Sequence, residues 1–454
     1  MSFYRSLKIV FDRTPEDTID LFQVFPSIRR FFERRRLHAV IRTAGDLIFT
    51  FIIYEGLFGP QDPEKNCTLY LSWGLWWPTI VMSWFFAGRM WCGFCPFPGV
   101  GRIAQRIGLS LNRPIPGFLK KNGAYMSVML LALIIWIEES TGIKESPRGT
   151  ALLILSIMAG TTFMAMLYPK QTWCRYLCPM GRLLGVGATL SMIEFRPDFE
   201  KCQTCKTFAC KKGINGKGGC PVFLGAFNVK NNLDCLICGH CLSLCDKHSP
   251  RLNLRSPFKE LLLNKGRFVS CSFIIPFFMG SQLVRFLEAS RYLVALQHNF
   301  SQMSTMVTYS GLLLIAFFYV LFIIKLGANA FGFTEDELFG KFSPMVPILI
   351  PMAFSGELAY RLDYAVSGAP DFFPTIARQF GLTSLLNWTF HLSSWTLISL
   401  NIFMILSATA ACCYLLYRLA KDEFENMVPW WRNLMVVALI FLTAASYLFF
   451  MLNT

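Results

Sequence analysis

The sequence is poor in charged residues and in histidine. Only 16% of its 454 residues are Asp, Glu, Lys or Arg, whereas a soluble globular protein carries about a quarter. Uncharged runs long enough to cross a bilayer, for which about 20 residues suffice, recur along the chain. The runs are continuously apolar rather than alternating, which favours membrane helices over membrane strands. No short apolar region with a small-residue cleavage site follows the basic N-terminus, so we predict no cleavable signal peptide.

The apolar runs predict an all-α polytopic membrane protein with about nine transmembrane helices. The first run is interrupted by charged residues, and the fifth and seventh are short. The predicted spans lie near 38–58, 68–88, 122–138, 149–168, 267–287, 303–324, 343–361, 388–416 and 433–452.

Lysine and arginine are distributed unevenly over the predicted loops. Of the 43 basic residues, 35 fall on the side of the N-terminus and five on the other side. Because cytoplasmic loops are enriched in Lys and Arg, this asymmetry predicts a cytoplasmic N-terminus and an external C-terminus, in a bacterial-type inner membrane. The same bias explains most of the net charge of +15, so we expect contact with lipid and no nucleic acid partner.

Twelve of the sixteen cysteines lie on the predicted cytoplasmic side, between Cys92 and Cys245. The cytosol keeps thiols reduced, so a dense cysteine pattern there indicates metal binding before disulfides. The segment CLICGHCLSLC contains Cys235, Cys238, Cys241 and Cys245, in the C-x2-C-x2-C-x3-C spacing of bacterial ferredoxins. The fourth cysteine of such a run normally ligates a second cluster, so the spacing predicts a partner run.

A stretched partner run precedes this segment. CQTCKTFAC supplies Cys202, Cys205 and Cys210, and Cys220 with Pro221 follows after an insertion. We therefore predict two [4Fe-4S] clusters. A zinc ribbon is the alternative, although zinc sites favour two separate C-x2-C pairs. The predicted ligand sets are Cys202, Cys205, Cys210 and Cys245 for one cluster, and Cys220, Cys235, Cys238 and Cys241 for the other.

These patterns predict four domains. A cytoplasmic, two-cluster, ferredoxin-like domain is inserted between two membrane domains, the first with four helices and the second with about five. The expected boundaries are 1–37 for a basic N-terminal segment, 38–196 for the first membrane domain, 197–257 for the ferredoxin-like domain and 258–454 for the second membrane domain.

A repeated cysteine loop ends two of the predicted hairpins. WCGFCPFPGVGR (91–102) and WCRYLCPMGR (173–182) share a tryptophan, two cysteines, a proline and a Gly-Arg pair. We interpret 38–106 and 122–186 as a parallel internal repeat. Side by side, the hairpins would form a third metal site or a reversible dithiol system from Cys92, Cys95, Cys174 and Cys178. Alternatively, the prolines and glycines end the helices and the thiols only pack.

Hairpins with cysteine-Pro loops followed by a two-cluster ferredoxin resemble the membrane polyferredoxins of the NapH, NosR and CcoG type. The resemblance covers roughly 38–256. It implies a membrane-bound iron–sulfur protein that relays electrons between a cytoplasmic-side partner and the quinone pool or a membrane reductase. The chain would then be a candidate subunit of a quinol dehydrogenase or another membrane oxidoreductase. A copper-handling assembly factor and a redox-sensing membrane regulator are the alternatives.

The C-terminal half carries one group of ionisable residues at membrane depth. Glu357 and Arg361 are four residues apart, and His391 lies at the same predicted outer level. Ionisable groups inside a membrane are costly and indicate function by default. The three residues are a candidate quinone site, and His391 is a candidate haem ligand. Alternatively, Glu357 and Arg361 pair along one helix and His391 is a core residue.

Overall fold

The computed structural model describes residues 18–263, 271–288, 305–330, 345–423 and 430–452. The short helices lie between and around the cysteine segments. They are α1 (Leu21–Val24), α2 (Pro26–Glu33), α5 (Met90–Phe94), α6 (Gly99–Arg106), α9 (Thr172–Tyr176), α10 (Pro179–Gly187), α11 (Phe199–Gln203), α12 (Ala209–Lys212) and α13 (Lys259–Leu263).

The remaining helices are longer and more apolar. They are α3 (Arg35–Phe58), α4 (Trp77–Ala87), α7 (Gly117–Ser140), α8 (Pro147–Leu167), α14 (Cys271–Glu288), α15 (Thr305–Ala330), α16 (Met345–Phe380), α17 (Ser394–Glu423) and α18 (Trp430–Leu452). A π-helical stretch, Tyr70–Trp76, leads directly into α4.

Six of the described helices are long and apolar enough to cross a membrane, which agrees with a multi-pass helical membrane protein. They are Arg36–Phe58, Gly117–Ser140, Pro147–Leu167, Met306–Ala330, Ser394–Lys421 and Trp431–Leu452. The other three predicted spans fall on α4, α14 and α16, so the count of nine stays a prediction. The starts of the spans at 267, 303 and 343 lie outside the described residues.

Helix α16 is much longer than the span predicted from its sequence. The apolar run near 343–361 ends at Arg361, yet the helix continues to Phe380 over 36 residues. The side chain of Arg361 is only 2% exposed and forms ion pairs inside the protein, so this charge does not end the helix. The predicted loop after 361 is therefore helical up to Phe380.

The chain divides into two compact units, of which the first contains all the predicted cluster ligands. It comprises residues 1–54, 82–130 and 151–260. Its three-stranded antiparallel sheet has the order β1 (Thr18–Asp20), β5 (Pro250–Arg255) and β2 (Ile193–Pro197). Pro197 pairs with Pro250, so the sheet brings together the two ends of the cysteine-rich segment. A two-residue hairpin, β3 (Gly213–Ile214) with β4 (Lys217–Gly218), lies within that segment.

Aromatic residues near the N-terminus help to form the core of the cysteine-rich segment. Phe22 and Phe32, on α1 and α2, are buried and pack edge to face. Their cluster contains Phe195, Val229, Cys235, Ile237, Leu242 and Leu252. Residues 18–33 of the predicted basic segment are therefore folded onto the cysteine-rich segment, through apolar side chains that alternate with the charges.

A buried ionic network fixes the sheet to the helices around it. Arg255 is 1% exposed and lies 3.4 Å from Glu194 and 3.1 Å from Glu260. Its guanidinium also donates to the carbonyl oxygens of Ser191, Ala188 and Thr189. A buried charge is tolerated when it is paired and hydrogen-bonded, and both conditions are met here.

The second unit comprises residues 55–81, 131–150 and 261–454. Helix α14 packs against α15, α16 and α18, and α17 packs against α16 and α18. Within this unit Tyr447 donates a hydrogen bond to Gln282, whose amide donates to the carbonyl oxygen of Ala353 at 2.9 Å. Both side chains are buried, so these bonds satisfy polar groups that would otherwise be costly in an apolar core.

Candidate metal centre

The structure brings four of the predicted ligands, which we name the inner group, around one cavity. They are Cys220, Cys235, Cys238 and Cys241. The cavity has a volume of about 20 Å³. His240 and mainly apolar side chains, including Phe195 and Val229, form the rest of its wall. Its donor set is four sulfurs in an apolar setting, which fits the ligation of an iron–sulfur cluster.

The second predicted ligand set, which we name the outer group, is held together partly by Ser249. Cys202, Cys205, Cys210 and Cys245 form this group. The hydroxyl of Ser249 lies 3.1 Å from the sulfur of Cys202, and its backbone N–H donates to the sulfur of Cys245 at 3.5 Å. Cys210 is electrostatically coupled to both of these cysteines. Residues 203, 204, 206 and 207 are exposed, so this group lies near the protein surface.

The inner and outer groups are adjacent. The backbone N–H of Cys220, in the inner group, donates to the carbonyl oxygen of Cys210, in the outer group, at 2.9 Å. Cys241 is electrostatically coupled to Cys210 as well. Cys245 follows the inner cysteines in sequence but lies with the outer ones, as the crossed ligation of two-cluster ferredoxins requires.

The structure also brings the cysteines of the two repeated loops together. Cys92, Cys95, Cys174 and Cys178, which we name the loop group, lie so close together that neighbouring cysteines raise the pKa of Cys95, Cys174 and Cys178. Cys178 is the N-cap residue of α10, and its sulfur accepts a hydrogen bond from the N–H of Gly181 at 3.2 Å. A helix N-terminus stabilises negative charge, so this position suits a thiolate ligand.

The loop group lies directly against the inner group. A Cβ placed on Gly93 would lie 2.9 Å from the Cβ of Cys238 and 3.2 Å from its Cα. Only glycine therefore allows the first loop to approach this closely. Arg42 of α3 donates to the carbonyl oxygen of Gly93 at 3.0 Å and is coupled to both Cys95 and Cys238.

Three charged residues hold the loops in place, and the sequence did not mark them as functional. Arg42 and Asp46 interrupt the first apolar run, so in the sequence they only weaken the prediction of a membrane span there. Asp46 lies 3.8 Å from Arg102, the last residue of the first loop. Arg89 is 4% exposed, donates to the carbonyl oxygen of Leu233 and is coupled to Cys92 and Cys178. The sequence did contain one indication of their role, because each of these charged residues lies within or beside an apolar run.

Burial raises the pKa of three inner thiols, Cys235, Cys238 and Cys241, and of three loop thiols, Cys95, Cys174 and Cys178. The pKa is about 11 for Cys235 and about 12 for Cys238, and it is about 11 for Cys178. Neighbouring cysteines raise the pKa of Cys238 and Cys178 further. These thiols are therefore neutral at pH 7 without metal, and ligation must release their protons. In the outer group, a hydrogen bond with Thr207 lowers the pKa of Cys205.

No set of three or more His, Cys, Asp or Glu within the described residues has the geometry to hold a single metal ion. A [4Fe-4S] cluster takes its four thiolates on different iron atoms, so they stand further apart than the ligands of one ion. Each of the three groups offers four thiols, which is the number that such a cluster takes.

Glu357 and Arg361 belong to a buried, charge-balanced network in the second unit. Arg361 lies 2.8 Å from Glu357 and 2.7 Å from Glu138, and Arg285 lies 3.0 Å from Glu357. Glu139 and Lys144 complete the network, and the Lys144 Nζ lies 2.5 Å from a carboxylate oxygen of Glu139. Trp77 lies beside the Arg361 guanidinium, 5.2 Å from ring centroid to carbon.

His391 does not join this network. It lies in an exposed stretch before α17, which begins at Ser394, so it is not inside a membrane helix as the predicted span 388–416 required. Among the residues that the structure describes, no hydrogen bond or ion pair joins His391 to Glu357 or Arg361. The structure therefore brings together two members of the candidate quinone site and leaves the third apart.

The apolar helices and the clustered cysteines agree with an iron–sulfur membrane protein, and comparison with known sequences supports this class. A family model described as a 4Fe-4S binding domain matches the chain twice, over residues 69–114 and 150–190. The first match contains Cys92 and Cys95, and the second contains Cys174 and Cys178. The model thus covers the repeated loops and not the ferredoxin-like segment.

Three curated relatives match parts of the chain. An uncharacterised protein of Methanocaldococcus jannaschii is 29% identical over 174 residues, which are 37% of this chain and 65% of the relative. YccM of Escherichia coli, named as a proposed electron transport protein, is 32% identical over 21% of this chain and 25% of its own length. The protein NirI of Paracoccus denitrificans is 25% identical over 36% of this chain and 26% of its own length.

Together these matches confirm the resemblance to proteins of the membrane polyferredoxin type. It spans between a quarter and 65% of the lengths of these relatives. No solved structure matches it.

Proposed function

We propose that this protein is a membrane-bound electron carrier in which three [4Fe-4S] clusters form one relay. The observation that carries the proposal is the unbroken series of contacts between the cysteine groups. Gly93 joins the loop group to the inner group, and the hydrogen bond from Cys220 to Cys210 joins the inner group to the outer group. Iron–sulfur clusters supply one-electron transfer at potentials set by ligation, hydrogen bonds and exposure.

A cluster in the loop group is supported by three features. The four thiols match the ligand number of a [4Fe-4S] cluster, and the family model for such domains covers both loops. Arg89 places a buried positive charge beside Cys92 and Cys178. That charge would offset the negative charge of thiolate ligands in an environment where an unpaired charge is costly.

The two ends of the relay differ in their surroundings. The outer group lies among exposed residues, so it suits exchange of electrons with a protein partner on the cytoplasmic side. The loop group is tied to Arg42 and Asp46 of α3, one of the helices able to cross a membrane. We propose that the loop group exchanges electrons with a membrane acceptor, either quinone or a reductase subunit, in a bacterial-type inner membrane.

Quinone is the acceptor that can be tested directly. Glu357 and Arg361 carry buried charges in an apolar helix, so they are candidates to interact with a quinone head group. His391, which is exposed beside α17, is a candidate for proton exchange with it. A quinone takes up two electrons and two protons when it is reduced, so the reduced clusters would supply the electrons and a proton donor is also needed.

The test uses the full chain in liposomes under anaerobic conditions. Its clusters are reduced with dithionite, excess reductant is removed, and a menaquinone analogue is added while cluster absorbance is followed. We expect reoxidation, slowed at least tenfold by Cys178→Ser and unaffected by Cys413→Ser. Cys413 is partly exposed on α17 and lies outside the three groups. Stable reduced clusters in the presence of quinone would contradict the quinone relay.

Metal analysis of the same preparation separates the alternatives. Copper bound to the loop group would favour the assembly-factor role, because soft thiolates also select Cu(I). Intact clusters with no electron transfer to quinone or to co-purified subunits would favour a redox sensor. Iron–sulfur clusters that turn over with an acceptor favour the relay.

A further inference from the structure

A cavity of about 240 Å³ opens beside the second cysteine-Pro loop, in the first unit. It is unusually basic, because five of its lining residues are Lys or Arg and only one, Asp234, is acidic. The basic residues are Arg89, Lys120, Lys121, Arg175 and Arg182. Cys174 and Cys178 of the loop group also line this cavity.

The positive charge in this cavity is poorly compensated by the protein. Arg182 lies 3.8 Å from Asp234, which is a long separation for an ion pair, and the Asp234 side chain is 52% exposed. Lys120 and Lys121 are exposed and form no ion pair with any residue that the structure describes. Concave clusters of one charge raise the local concentration of the opposite charge.

Arg89 adds a buried donor at the base of the cavity. It is 4% exposed, and its Nη1 donates to the carbonyl oxygen of Leu233. Its guanidinium interacts with the side chains of Cys92 and Asp234, whereas its Nε atom makes no hydrogen bond within the described part of the chain. A buried polar atom without a partner is costly, and a bound acceptor would remove that cost.

We propose that this cavity binds a phosphate-type oxyanion beside the loop group. Arginine and lysine are the usual partners of phosphate oxygens, and arginine can contact them through two parallel N–H groups. Lys120 and Lys121 lie in the first turns of α7, at one end of a helix able to cross a membrane. The oxyanion is therefore the phosphate of a lipid head group or of a free small molecule.

The proposal differs from a simpler role for the same charges. Arg89 is coupled to Cys92 and Cys178, so it also offsets the thiolates of the loop group. If the lysines did the same, removing them would change the clusters and no anion would bind. The oxyanion site predicts the reverse, with intact clusters and altered anion binding. The proposal stands even if the loop group holds no cluster.

The test measures anion binding to the full holoprotein in detergent by calorimetry, at low salt. One arm uses inorganic phosphate, and the other uses short-chain phosphatidylglycerol, with phosphatidylcholine as its neutral-charge reference. Three forms are compared with the wild type. They are Lys120→Gln/Lys121→Gln, Asp234→Asn, and the control Lys217→Gln/Lys230→Gln, which removes the same charge from two exposed lysines outside the cavity.

We expect the Lys120→Gln/Lys121→Gln double variant to weaken binding by about tenfold, because two exposed ion pairs with the anion are lost. Asp234→Asn should tighten binding about threefold, since it removes a repelling carboxylate. The control pair should leave binding unchanged. Binding in the phosphate arm identifies a free ligand, and binding only in the lipid arm identifies a head group. No binding in either arm, or binding unaffected by both cavity variants, would overturn the proposal.

Discussion

Gly93 and Cys238 are in direct contact, although they are separated by 145 positions in the sequence and belong to different cysteine groups. The missing side chain of Gly93 is what allows the contact, because a Cβ there would lie 2.9 Å from the Cβ of Cys238. This close approach sets the distance between the loop group and the inner group. In the relay that we propose, the separation of these two groups is therefore sensitive to a change at Gly93.

The variant Gly93→Ala should separate the two groups and destabilise the protein. Overpacking a tight contact costs about 1–3 kcal/mol, so we expect a lower thermal unfolding midpoint. We also expect weaker magnetic coupling between reduced clusters in electron paramagnetic resonance spectra. Gly218→Ala is the control, since nothing lies within 4 Å of a Cβ at that position. Equal unfolding midpoints and equal magnetic coupling in the two variants would show that the contact is unimportant.

Arg255 and Arg251 lie on the same strand and should differ sharply in their importance. Arg255 is buried between Glu194 and Glu260, and removing one partner of a buried charge network costs about 3–5 kcal/mol. Arg251 pairs with Asp198 at 2.6 Å, but its side chain is 43% exposed, so its loss should cost at most ~1 kcal/mol. Denaturant unfolding of Arg255→Gln and Arg251→Gln measures the difference. Similar losses would contradict the role of the network.

The position of Cys245 predicts which cluster a substitution damages. It follows the inner cysteines in sequence but shares Ser249 with Cys202 of the outer group. Cys245→Ser should therefore disturb the outer cluster and leave the inner one, whereas Cys238→Ser should do the opposite. Mössbauer and electron paramagnetic resonance spectra of anaerobically prepared protein distinguish damage to the outer cluster from damage to the inner one. Loss of the same signal in both variants would show that the ligands are not crossed between the clusters.

Glu357 should matter for stability as well as for any quinone chemistry. Its carboxylate lies between Arg285 and Arg361, so Glu357→Ala leaves two buried cations with less compensation and should cost about 3 kcal/mol or more. His391→Ala should change stability by less than about 0.5 kcal/mol, because the side chain is exposed. Thermal unfolding in detergent compares the stabilities of the two variants. A stable Glu357→Ala variant would show that the network is not structural.

Much of the site could be predicted from cysteine spacing, because iron–sulfur ligation constrains sequence directly. The C-x2-C-x2-C-x3-C run, the stretched run before it and the repeated loops marked the same twelve cysteines that the structure gathers into three groups. Spacing also assigned Cys245 away from its sequence neighbours. The contact between Gly93 and Cys238 could not be predicted, since it depends on how two distant loops pack.

Charge within apolar runs was harder to interpret. Arg42 and Asp46 look like defects in a span, and only the structure shows that they hold the first loop. Arg361 looks like the end of a span, yet its partners Glu138 and Glu357 allow the helix to continue. Partners of this kind come from distant segments, so hydropathy alone does not reveal them.

The most direct test of the relay is the iron and acid-labile sulfide content of the anaerobically purified chain. Three [4Fe-4S] clusters predict about twelve iron atoms and twelve sulfides per chain. The Cys92→Ser/Cys178→Ser double variant should lower both counts to about eight, because only the loop group is lost. Stoichiometric zinc with no iron, or a wild-type iron content that the double variant does not change, would contradict the account.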